Sequence, residues 1–294
     1  MGHSDREPKV SVIILNYNRP EYTLDCVHSV LKSDYTNIEI VVVDNCSESS
    51  KFVFLQKKLA MLPVTIIQTG SNVGYSGGNN VGMLRSTGRY ILILNDDVII
   101  DKDSIRRLVD IAEKHSEVGI IGPLTYTYDS GNLWFYSPNL LQVDREIMDV
   151  SIVVGAAFLV RREAIEKTGL LDENYFMYHE EWDLCVRARA AGYRTVCALK
   201  IRVWHKVQEK NTYYAPHYAY FFNRNFFLFA AKHCKTTRKA TSFLFKHIIW
   251  GDNNSSLFLY PLWALRNGNM KTFKAYFAGI ANGLVLFFRL RLQS

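Results

Sequence analysis

The chain has 294 residues, of which 48% are hydrophobic and 13% aromatic, and it carries a formal net charge of +7. This apolar, ring-rich composition excludes an intrinsically disordered protein, and the length is sufficient for one large domain with an extension. The charge is uneven, because the residues from Lys206 onward carry a net charge of +11 and those before it −4. This asymmetry predicts that the last third of the chain contacts an anionic surface or partner.

Short β-branched runs alternate with helical stretches in the first hundred residues. The alternation predicts a parallel sheet that is covered by helices on both faces. Ligands of such sheets bind beyond the carboxyl ends of the strands, so Asn16, Asp44, Asn45 and the run Asn95–Asp97 are expected to converge on one crevice. The predicted strands are residues 10–17, 38–45, 64–69 and 89–96, and the first predicted helix is 21–33.

The second half of the sequence continues the alternation and then changes character. Beyond residue 205 the chain is basic and dense in aromatic rings, which predicts further helices, the first over 213–232. Before that point the pattern predicts helices at 103–115 and 180–194, strands at 118–122, 153–162 and 195–205, and an irregular Tyr-rich segment up to about residue 150.

Cysteine spacing and the composition of the two ends of the chain indicate the cellular compartment of the protein. The five cysteines form no CxxC pair, so neither a disulfide framework nor a zinc site is indicated. The polar first ten residues lack the apolar core of a secretory signal. The longest uncharged run near the C-terminus, 275–288, has 14 residues and falls short of the roughly 20 that a membrane span needs. We expect a protein that is cytoplasmic or lies on a membrane surface.

The sequence LILNDDVII places Asn95, Asp96 and Asp97 at the end of a buried strand. Two adjacent carboxylates repel each other unless a cation or hydrogen-bond donors compensate them, and a hard divalent cation suits such oxygen ligands. A turn is the simpler interpretation, because Asp and Asn side chains bond nearby backbone amides at strand ends.

The segment GSNVGYSGGNNVG, residues 70–82, is rich in glycine and asparagine. Its glycines allow the backbone to approach a ligand closely, and a helix that follows could turn its N-terminus toward a phosphate. It has neither the P-loop signature nor GxGxxG. An ordinary Gly-rich loop is the alternative.

The segment YHEEWDL, residues 178–184, brings Glu180 and Glu181 to the start of a helix. The helix dipole favours carboxylates there without any catalytic role, whereas a carboxylate in a cleft can also act as a general base toward a hydroxyl. Asp183 suits a local structural acceptor better than a catalyst. His205, which ends an apolar strand, is by itself more typical of a structural histidine than of a ligand.

The chain contains, in order, the motifs SVIILNYNR, VVVDN, SNVGYSGGNN, LNDDV, GAAFLVRR, FMYHEEWDLCVRARAAGY and WH. This series resembles the family 2 glycosyltransferases, in particular the bacterial rhamnosyltransferase-like branch, over roughly residues 9–230. The resemblance implies a GT-A fold, an α/β fold with a Rossmann-like, mostly parallel mixed sheet flanked by helices. It also implies a nucleoside-diphosphate-sugar site, a DxD-type metal motif and inversion at the anomeric carbon.

The same resemblance implies roles for single residues. Asn16 and Asp44 match positions around the nucleobase and ribose, and Asn72 with the loop Gly74–Asn79 matches the segment that contacts the donor. Further substrate contacts are implied for Asp96, Glu180 and Trp182.

Metal binding and catalysis are implied for three residues. Asp97 matches the metal-binding Asp of the DxD motif, and His205 matches a histidine that completes the shell of a Mg²⁺ or Mn²⁺ ion. Glu181 matches the catalytic base, where the family usually has Asp. The first Asp of the motif is here Asn95, which leaves Asp97 as the main anionic ligand.

These matches predict a GT-A nucleotide-sugar-binding and catalytic domain over residues 1–205 and a basic, aromatic-rich helical extension over 206–294. The expected activity is that of an inverting hexosyltransferase that uses dTDP-L-rhamnose or a UDP-hexose and a saccharide acceptor, lipid-linked through polyprenyl diphosphate, in bacterial cell-surface polysaccharide synthesis. For the extension, a membrane-surface helix, internal packing and a homo-oligomer interface are alternatives.

Three other functions would account for parts of the sequence. A sugar-phosphate nucleotidyltransferase shares the sheet architecture but usually carries a Gly-rich motif with Arg and Lys near its N-terminus, which SVIILNYNRP lacks. A nucleic-acid-binding protein would account for the basic tail but not for the acidic residues at the strand ends, so no nucleic-acid partner is expected. A non-catalytic sugar-nucleotide-binding module stays an alternative because Asn95 replaces an Asp.

Overall fold

A computed structural model describes residues 7–134, 143–206, 215–250 and 259–293. The chain divides into two compact units. The first unit consists of Met1–Glu173 and Glu181–Val207, and the second of Asn174–Glu180 and Gln208–Ser294. The short segment Asn174–Glu180 therefore groups with the C-terminal helices, although it lies between elements of the first unit. The functional division at residues 205 and 206 stays a prediction.

The first unit contains the sheet and its flanking helices. Its strands are β1 (Val10–Asn16), β2 (Ile38–Asp44), β3 (Val64–Gln68), β4 (Tyr90–Asn95), β5 (Val98–Ile100), β6 (Val118–Thr127), β7 (Ile147–Asp149), β8 (Ala157–Arg161) and β9 (Arg194–His205). Its helices are α1 (Pro20–Leu31), α2 (Ser49–Leu59), α3 (Gly74–Arg85), α4 (Ser104–Lys114), α5 (Arg162–Thr168) and α6 (Glu180–Ala190), of which α6 begins at the unit boundary.

The described strands form one mixed sheet in the order β3-β2-β1-β4-β8-β6-β9-β5, with β7 paired to β9. The first four strands in this order run parallel, and β6 and β9 are parallel as well. Strand β8 runs antiparallel to both of its neighbours. The mixed α/β sheet predicted from the sequence is therefore present, with its parallel half formed by the N-terminal strands.

Two hydrophobic clusters cover the two faces of this sheet. Because successive side chains of a strand point to opposite faces, Val12 and Ile14 of β1 belong to one cluster and Ile13 to the other. The first cluster includes residues of α1, α2 and α4, and the second includes residues of α3, α5 and α6. The alternation in VSVIILN thus produces helices on both faces, as predicted.

Some predicted element boundaries were wrong. The predicted strand 153–162 is shorter, because β8 covers Ala157–Arg161 and helix α5 starts at Arg162. The helix predicted within 180–194 was expected to end at Gly192, and it ends two residues earlier, at Ala190. Gly192 has φ +89°, a conformation that suits glycine. The short strands β5 and β7 were not predicted, since three residues carry little periodic signal.

The second unit contains helices that follow the sheet in the sequence. They are α7 (Pro216–His233), α8 (Thr237–Trp250), α9 (Leu259–Arg266) and α10 (Met270–Gln293). Helix α10 packs closely on α7, because a Cβ atom at Gly279 would lie 2.4 Å from the carbonyl oxygen of Tyr220, and one at Gly283 would lie 2.5 Å from the ring of Phe227. Asn282 adds a 2.8 Å hydrogen bond to the hydroxyl of Tyr220. Small residues therefore allow this helix pair to form.

Helix α10 is longer than the sequence indicated. The uncharged run of 14 residues at 275–288 lies within one continuous helix. By length and composition, its stretch Met270–Leu292 could cross a membrane, and 22% of its most apolar window is buried. One side of α10 faces α7, whereas Val285, Phe288 and Leu292 are exposed.

Candidate active site

The carboxyl ends of β1, β2 and β4 lie side by side at one edge of the sheet. In the strand register Asn16 is the partner of Asp44, and the preceding residue Leu15 is the partner of Asn95. The carboxylates of Asp96 and Asp97 follow directly. The predicted convergence of these three strand ends is confirmed.

At the end of β2, the buried Asp44 carboxylate is engaged entirely within the protein. Its Oδ2 accepts a 2.6 Å hydrogen bond from Asn16, and its Oδ1 accepts bonds of 3.0 Å from the Ser47 amide and 3.1 Å from Gln68. Asp44 and Asn16 are both fully buried. These bonds hold the loops after β1 and β2 together, and contact of Asp44 and Asn16 with a nucleobase stays a prediction.

The Gly-rich segment is helical earlier than expected. Helix α3 begins at Gly74, so the predicted loop Gly74–Asn79 forms its first turns. Gly74 has φ +77°, and the Oδ1 of Asn72 accepts a 3.0 Å hydrogen bond from its amide. Asn45 at the end of β2 donates to the same Oδ1 over 2.9 Å. Asn72 therefore ties the start of α3 to the sheet edge.

Two glycines of this segment have a packing role. A Cβ atom on Gly78 would lie 2.3 Å from Leu15, and one on Gly82 would lie 2.4 Å from Ile13. Both neighbours belong to β1, so these glycines allow α3 to lie close against the sheet. Asn79 is fully buried, and its amide donates to the carbonyl oxygen of Tyr75 over 3.0 Å. Donor contact by Gly74 and Asn79 stays a prediction.

The end of β4 differs from that of β2, because its carboxylates contact the guanidinium of Arg19 and the imidazole of His205. The Nε2 atom of His205 lies 2.9 Å from Oδ1 of Asp97. The guanidinium of Arg19 lies 2.9 Å from Oδ2 of Asp97 and 3.3 Å from Oδ1 of Asp96. Both carboxylates are more than nine-tenths buried. The structure thus brings together the two predicted metal ligands, Asp97 and His205, which are 108 residues apart in the sequence.

Burial and charge shift the pKa values of the two adjacent carboxyl groups in opposite directions. Burial raises the pKa of Asp96 to about 8, and the neighbouring Asp97 carboxylate adds to this effect. Burial also opposes ionisation of Asp97, but the 2.9 Å contact with His205 and the charge of Arg19 outweigh it and lower its pKa. Of the two groups, Asp97 is therefore the one that ionises more readily.

Glu181 reaches the same edge of the sheet through the segment that leads into β8. Its carboxylate Oε1 lies 3.2 Å from the position that a Cβ atom on Gly155 would occupy. The next residue, Ala156, accepts a 2.9 Å hydrogen bond from the amide of Asn95. The hydroxyl of Tyr75 donates to the carbonyl oxygen of Gly155 over 2.6 Å. A short chain of contacts thus joins Glu181 to the end of β4.

The other acidic residues of α6 differ in role. Asp183 is fully buried, and its carboxylate accepts a 2.6 Å bond from Arg187, which also donates to carbonyl oxygens at the end of α5. Asp183 is therefore a structural acceptor, as the sequence indicated. Glu180 is buried and Trp182 is partly buried, and their predicted substrate contacts stay predictions.

Within the second unit, the segment before α6 has an unusual backbone. Phe176, Tyr178 and His179 have φ of 64°, 69° and 71°, which is uncommon for bulky residues and typical of functional loops. The fully buried amide of Asn225 in α7 donates to the carbonyl oxygens of Tyr175, Met177 and Tyr178 at 2.8 to 2.9 Å. Asn225 therefore holds the strained segment in place.

The residues Asp97 and His205 fit a divalent cation. They offer the oxygen and nitrogen donors that Mg²⁺ or Mn²⁺ accepts, and the Oδ1 of Asp97, which faces Nε2 of His205, is buried with no hydrogen-bond partner among the described residues. No group of three or more His, Cys, Asp or Glu side chains that could hold a metal occurs in the part of the chain that the structure describes. The protein would thus supply few ligands, as is usual where substrate phosphates and water supply the others.

Sequence reasoning missed several residues at this edge. Arg19 contacts both carboxylates, and Gly155, whose carbonyl oxygen accepts a bond from Tyr75, adjoins Glu181. The ring of Trp134 lies edge-on to His205 at 4.8 Å. A basic residue soon after the end of β1, in NYNRP, was the one available signal for Arg19. The other contacts depend on pairing between distant segments.

Comparison by sequence finds relatives among glycosyltransferases. The model of the family "Glycosyl transferase family 2" matches residues 11–169. The chain is 32% identical over 202 residues to the low-salt glycan biosynthesis hexosyltransferase Agl10 of Haloferax volcanii, a match that covers 61% of each protein. It is 30% identical over 129 residues to the glycosyltransferase GlyG of Streptococcus pneumoniae, which covers 43% of each. The chain thus spans less than two thirds of the length of these relatives.

Comparison by structure finds the same architecture. The mannosyltransferase PcManGT of Pyrobaculum calidifontis, solved with GDP-Man and Mn²⁺, aligns with a TM-score of 0.65 at 17% identity, covering 98% of this chain and 87% of that one. TarS 1–349 of Staphylococcus aureus, solved with UDP, aligns with a TM-score of 0.63 at 16% identity, covering 97% and 92%. At such identities the likeness shows the fold alone, and the predicted GT-A fold is confirmed.

The family match spans more than half of the chain. It includes the ends of β1, β2 and β4, where Asn16, Asp44 and Asp97 lie, and it stops before Glu181 and His205. On the sequence match and the shared fold, the chain belongs to glycosyl transferase family 2.

Proposed function

We propose that this protein is a metal-dependent, inverting hexosyltransferase. It would transfer a sugar from a nucleoside-diphosphate sugar to a hydroxyl group of a saccharide acceptor. The observation that carries this proposal is the contact of 2.9 Å between Asp97 and His205 at the carboxyl edge of the sheet, joined by the short chain of contacts to Glu181.

In the proposed reaction Glu181 acts as the general base. Its carboxylate accepts the proton of the acceptor hydroxyl while the hydroxyl oxygen forms a bond to the anomeric carbon of the donor sugar. The bond from that carbon to the diphosphate oxygen breaks, and the nucleoside diphosphate leaves with the electron pair. Attack from the face opposite the leaving group inverts the configuration, so no covalent sugar-enzyme intermediate is required.

The charged residues at the end of β4 would serve the leaving group. Mg²⁺ or Mn²⁺, when bound by Asp97 and His205, would stabilise the negative charge that develops on the diphosphate. Arg19 keeps the two buried carboxylates compensated, and the low pKa of Asp97 keeps this ligand ionised. Asp97 and His205 would therefore supply the metal ligands, and Arg19 a positive charge beside them.

The specificity is proposed on the resemblance and on the relatives. The rhamnosyltransferase-like motifs favour dTDP-L-rhamnose, and a UDP-hexose is the next candidate. One structural neighbour was solved with GDP-Man and another with UDP, so all three nucleotides belong in a donor screen. The proposed acceptor is a polyprenyl-diphosphate-linked saccharide at the cytoplasmic face of the membrane, in cell-surface polysaccharide synthesis.

Donor-dependent release of nucleoside diphosphate tests this function. With Mn²⁺ present, wild type should release one diphosphate from the panel in an acceptor-dependent manner. Glu181→Gln should lower turnover by ~10²- to 10⁴-fold, because it removes the base, while donor binding by thermal shift is kept. Glu166→Gln on the exposed face of α5 is a matched control and should leave turnover unchanged. Near-normal turnover in Glu181→Gln would exclude Glu181 as the base.

We also propose that the exposed side of α10 lies on an anionic membrane. Val285, Phe288 and Leu292 are 66%, 57% and 86% exposed, and Lys271, Lys274 and Arg289 lie on the same helix. The described part of the second unit from Pro216 onward contains no acidic residue. Exposed apolar side chains mixed with cations alone suit a surface of anionic lipids.

Vesicle co-sedimentation tests the membrane proposal. Binding to vesicles with 30% phosphatidylglycerol should exceed binding to neutral vesicles and weaken with salt. The double variant Val285→Glu, Phe288→Glu should lower it by at least about tenfold, because each apolar side chain is worth about 1.5–3 kcal/mol when buried. Met61→Glu, at a residue that is 92% exposed in the first unit, is the control. A homodimer in light scattering that the double variant dissociates would replace the membrane by a second copy.

A further inference from the structure

Arg19 contacts the two buried carboxyl groups of Asp96 and Asp97, but its own side chain is partly exposed. Its side chain is 41% exposed, whereas those of Asp96 and Asp97 are 9% and 6% exposed. The guanidinium therefore approaches the buried pair from the open side of the sheet edge. Such a side chain can leave without unpacking the core.

In the same position the Arg19 guanidinium also contacts an aromatic ring. The guanidinium carbon of Arg19 lies 4.3 Å from the ring centroid of Tyr22, one helical turn further along in α1. Lys206, which is paired with Asp25 at 2.7 Å, also adjoins the Tyr22 ring at 5.9 Å. The open side of the site is thus lined by cations and an aromatic ring, a combination suited to an anionic ligand.

Charge balance predicts what happens to Arg19 on loading. One ionised carboxylate, Asp97, is already compensated by Arg19 and by the contact with His205. A divalent cation at Asp97 would meet the positive guanidinium at close range, and the two would repel each other. Contact between the guanidinium and a second anion is then more favourable than contact with Asp97. The planar guanidinium can bind two phosphate oxygens at once.

We propose that Arg19 is a movable cation that holds Asp96 and Asp97 in the free protein and transfers to the diphosphate of the donor when the metal binds. This inference rests on the proposed use of a metal and a nucleoside-diphosphate sugar. It assigns Arg19 two opposite effects, because it competes with the metal when alone and assists the nucleotide once the metal is bound.

The test measures these two effects separately in Arg19→Gln. Calorimetry with Mn²⁺ and no nucleotide should show Mn²⁺ binding about tenfold or more tighter than in wild type, since a competing charge is gone. At saturating Mn²⁺, affinity for the nucleoside diphosphate should fall about ten- to hundredfold, the range expected for loss of a charged hydrogen-bond pair. Arg106→Gln, which removes the surface pairs with Glu7 and Asp34, is the matched control and should change neither affinity.

Arg19→Lys keeps the charge but not the fork. It should bind Mn²⁺ as wild type does and bind the diphosphate several-fold less tightly, and it serves as the second variant if Arg19→Gln does not fold. Loss of both affinities together, unchanged affinities, or tighter Mn²⁺ with unaltered diphosphate binding would each overturn the proposal. Wild type that binds neither Mn²⁺ nor UDP, dTDP or GDP would instead overturn the proposed function.

Discussion

The ends of β2 and β4 use the same residue types in opposite ways. At the end of β2 the Asp44 carboxylate accepts hydrogen bonds from three neutral donors, the side chains of Asn16 and Gln68 and the Ser47 amide. At β4 the Asp97 carboxylate is compensated by the charge of Arg19, which also contacts Asp96, and it lies against the imidazole of His205. Neutral hydrogen bonds fix loops, whereas compensated charges can be exchanged for a ligand. The difference teaches that an acidic strand end is structural or functional according to its partners.

The largest expected effect is that of Asp97→Asn on turnover. The variant loses the charge that is proposed to hold the metal, so kcat/KM should fall about 10²- to 10³-fold, the usual cost of one group that stabilises developing charge. Its free energy of unfolding should change by less than about 1 kcal/mol, because the lost attraction of Arg19 is offset by the lost burial penalty together with the lost repulsion between Asp97 and Asp96. Steady-state kinetics and urea unfolding measure the two quantities.

Asp44→Asn should show the contrasting result, mainly in stability. An amide in place of the carboxylate has one acceptor oxygen fewer, so at least one buried donor among Asn16, Ser47 and Gln68 is left without its acceptor. The free energy of unfolding should fall by about 1–3 kcal/mol, as measured by urea unfolding beside Asp97→Asn. If Asp44→Asn is as stable as wild type and binds nucleotide less well, Asp44 belongs to the ligand-binding group and the comparison between the two strand ends fails.

The sequence was informative about the sheet because its signals are local. The alternation in VSVIILN and IEIVVVD defines β1 and β2, and the polar residues that follow each run mark the strand ends. In a parallel sheet these ends share one edge, so topology alone brought Asn16 and Asp44 to the end of β4.

Other features were beyond the reach of the sequence, because they depend on pairing between distant segments. The motif GAAFLVRR carried the resemblance, yet its arginines bond backbone: Arg161 donates to the carbonyl oxygen of Val118 and Arg162 to that of Gly88. The backbone strain at Phe176, Tyr178 and His179 has no composition signal, since these residues rarely adopt positive φ. The role of Arg19 likewise depends on Asp96 and Asp97, which are 77 and 78 positions away in the sequence.

Gly155→Ala would sharpen the contrast by moving a functional group without changing any charge. The new Cβ atom would lie 3.2 Å from Oε1 of Glu181, so the carboxylate must shift by a few tenths of an ångström. Turnover should fall about tenfold, equal to about 1.4 kcal/mol, with the donor KM unchanged. Gly70→Ala in the loop after β3 is the control, because a Cβ atom there has nothing within 4 Å. Equal turnover in the two variants would mean that Gly155 does not position Glu181.

The smallest effect is expected at the opposite end of β2, where Glu39 has charged and neutral partners at once. Its carboxylate lies 2.6 Å from Nζ of Lys9 and accepts bonds from Ser11 and the Thr87 amide. Burial opposes ionisation, but these donors outweigh it and lower the pKa of Glu39 from 4.5 to about 2.

A lowered folded-state pKa means that Glu39 stabilises the protein above pH 4.5, and that this contribution disappears as the pH falls toward 2. Glu39→Gln should therefore be less stable than wild type by about 1 kcal/mol near neutral pH. The difference should shrink steadily between pH 4.5 and 2 in urea unfolding, while the other carboxylates affect both proteins alike. A pH-independent difference would show that Glu39 acts through packing, and that compensated charge at this end of β2 contributes nothing that depends on ionisation.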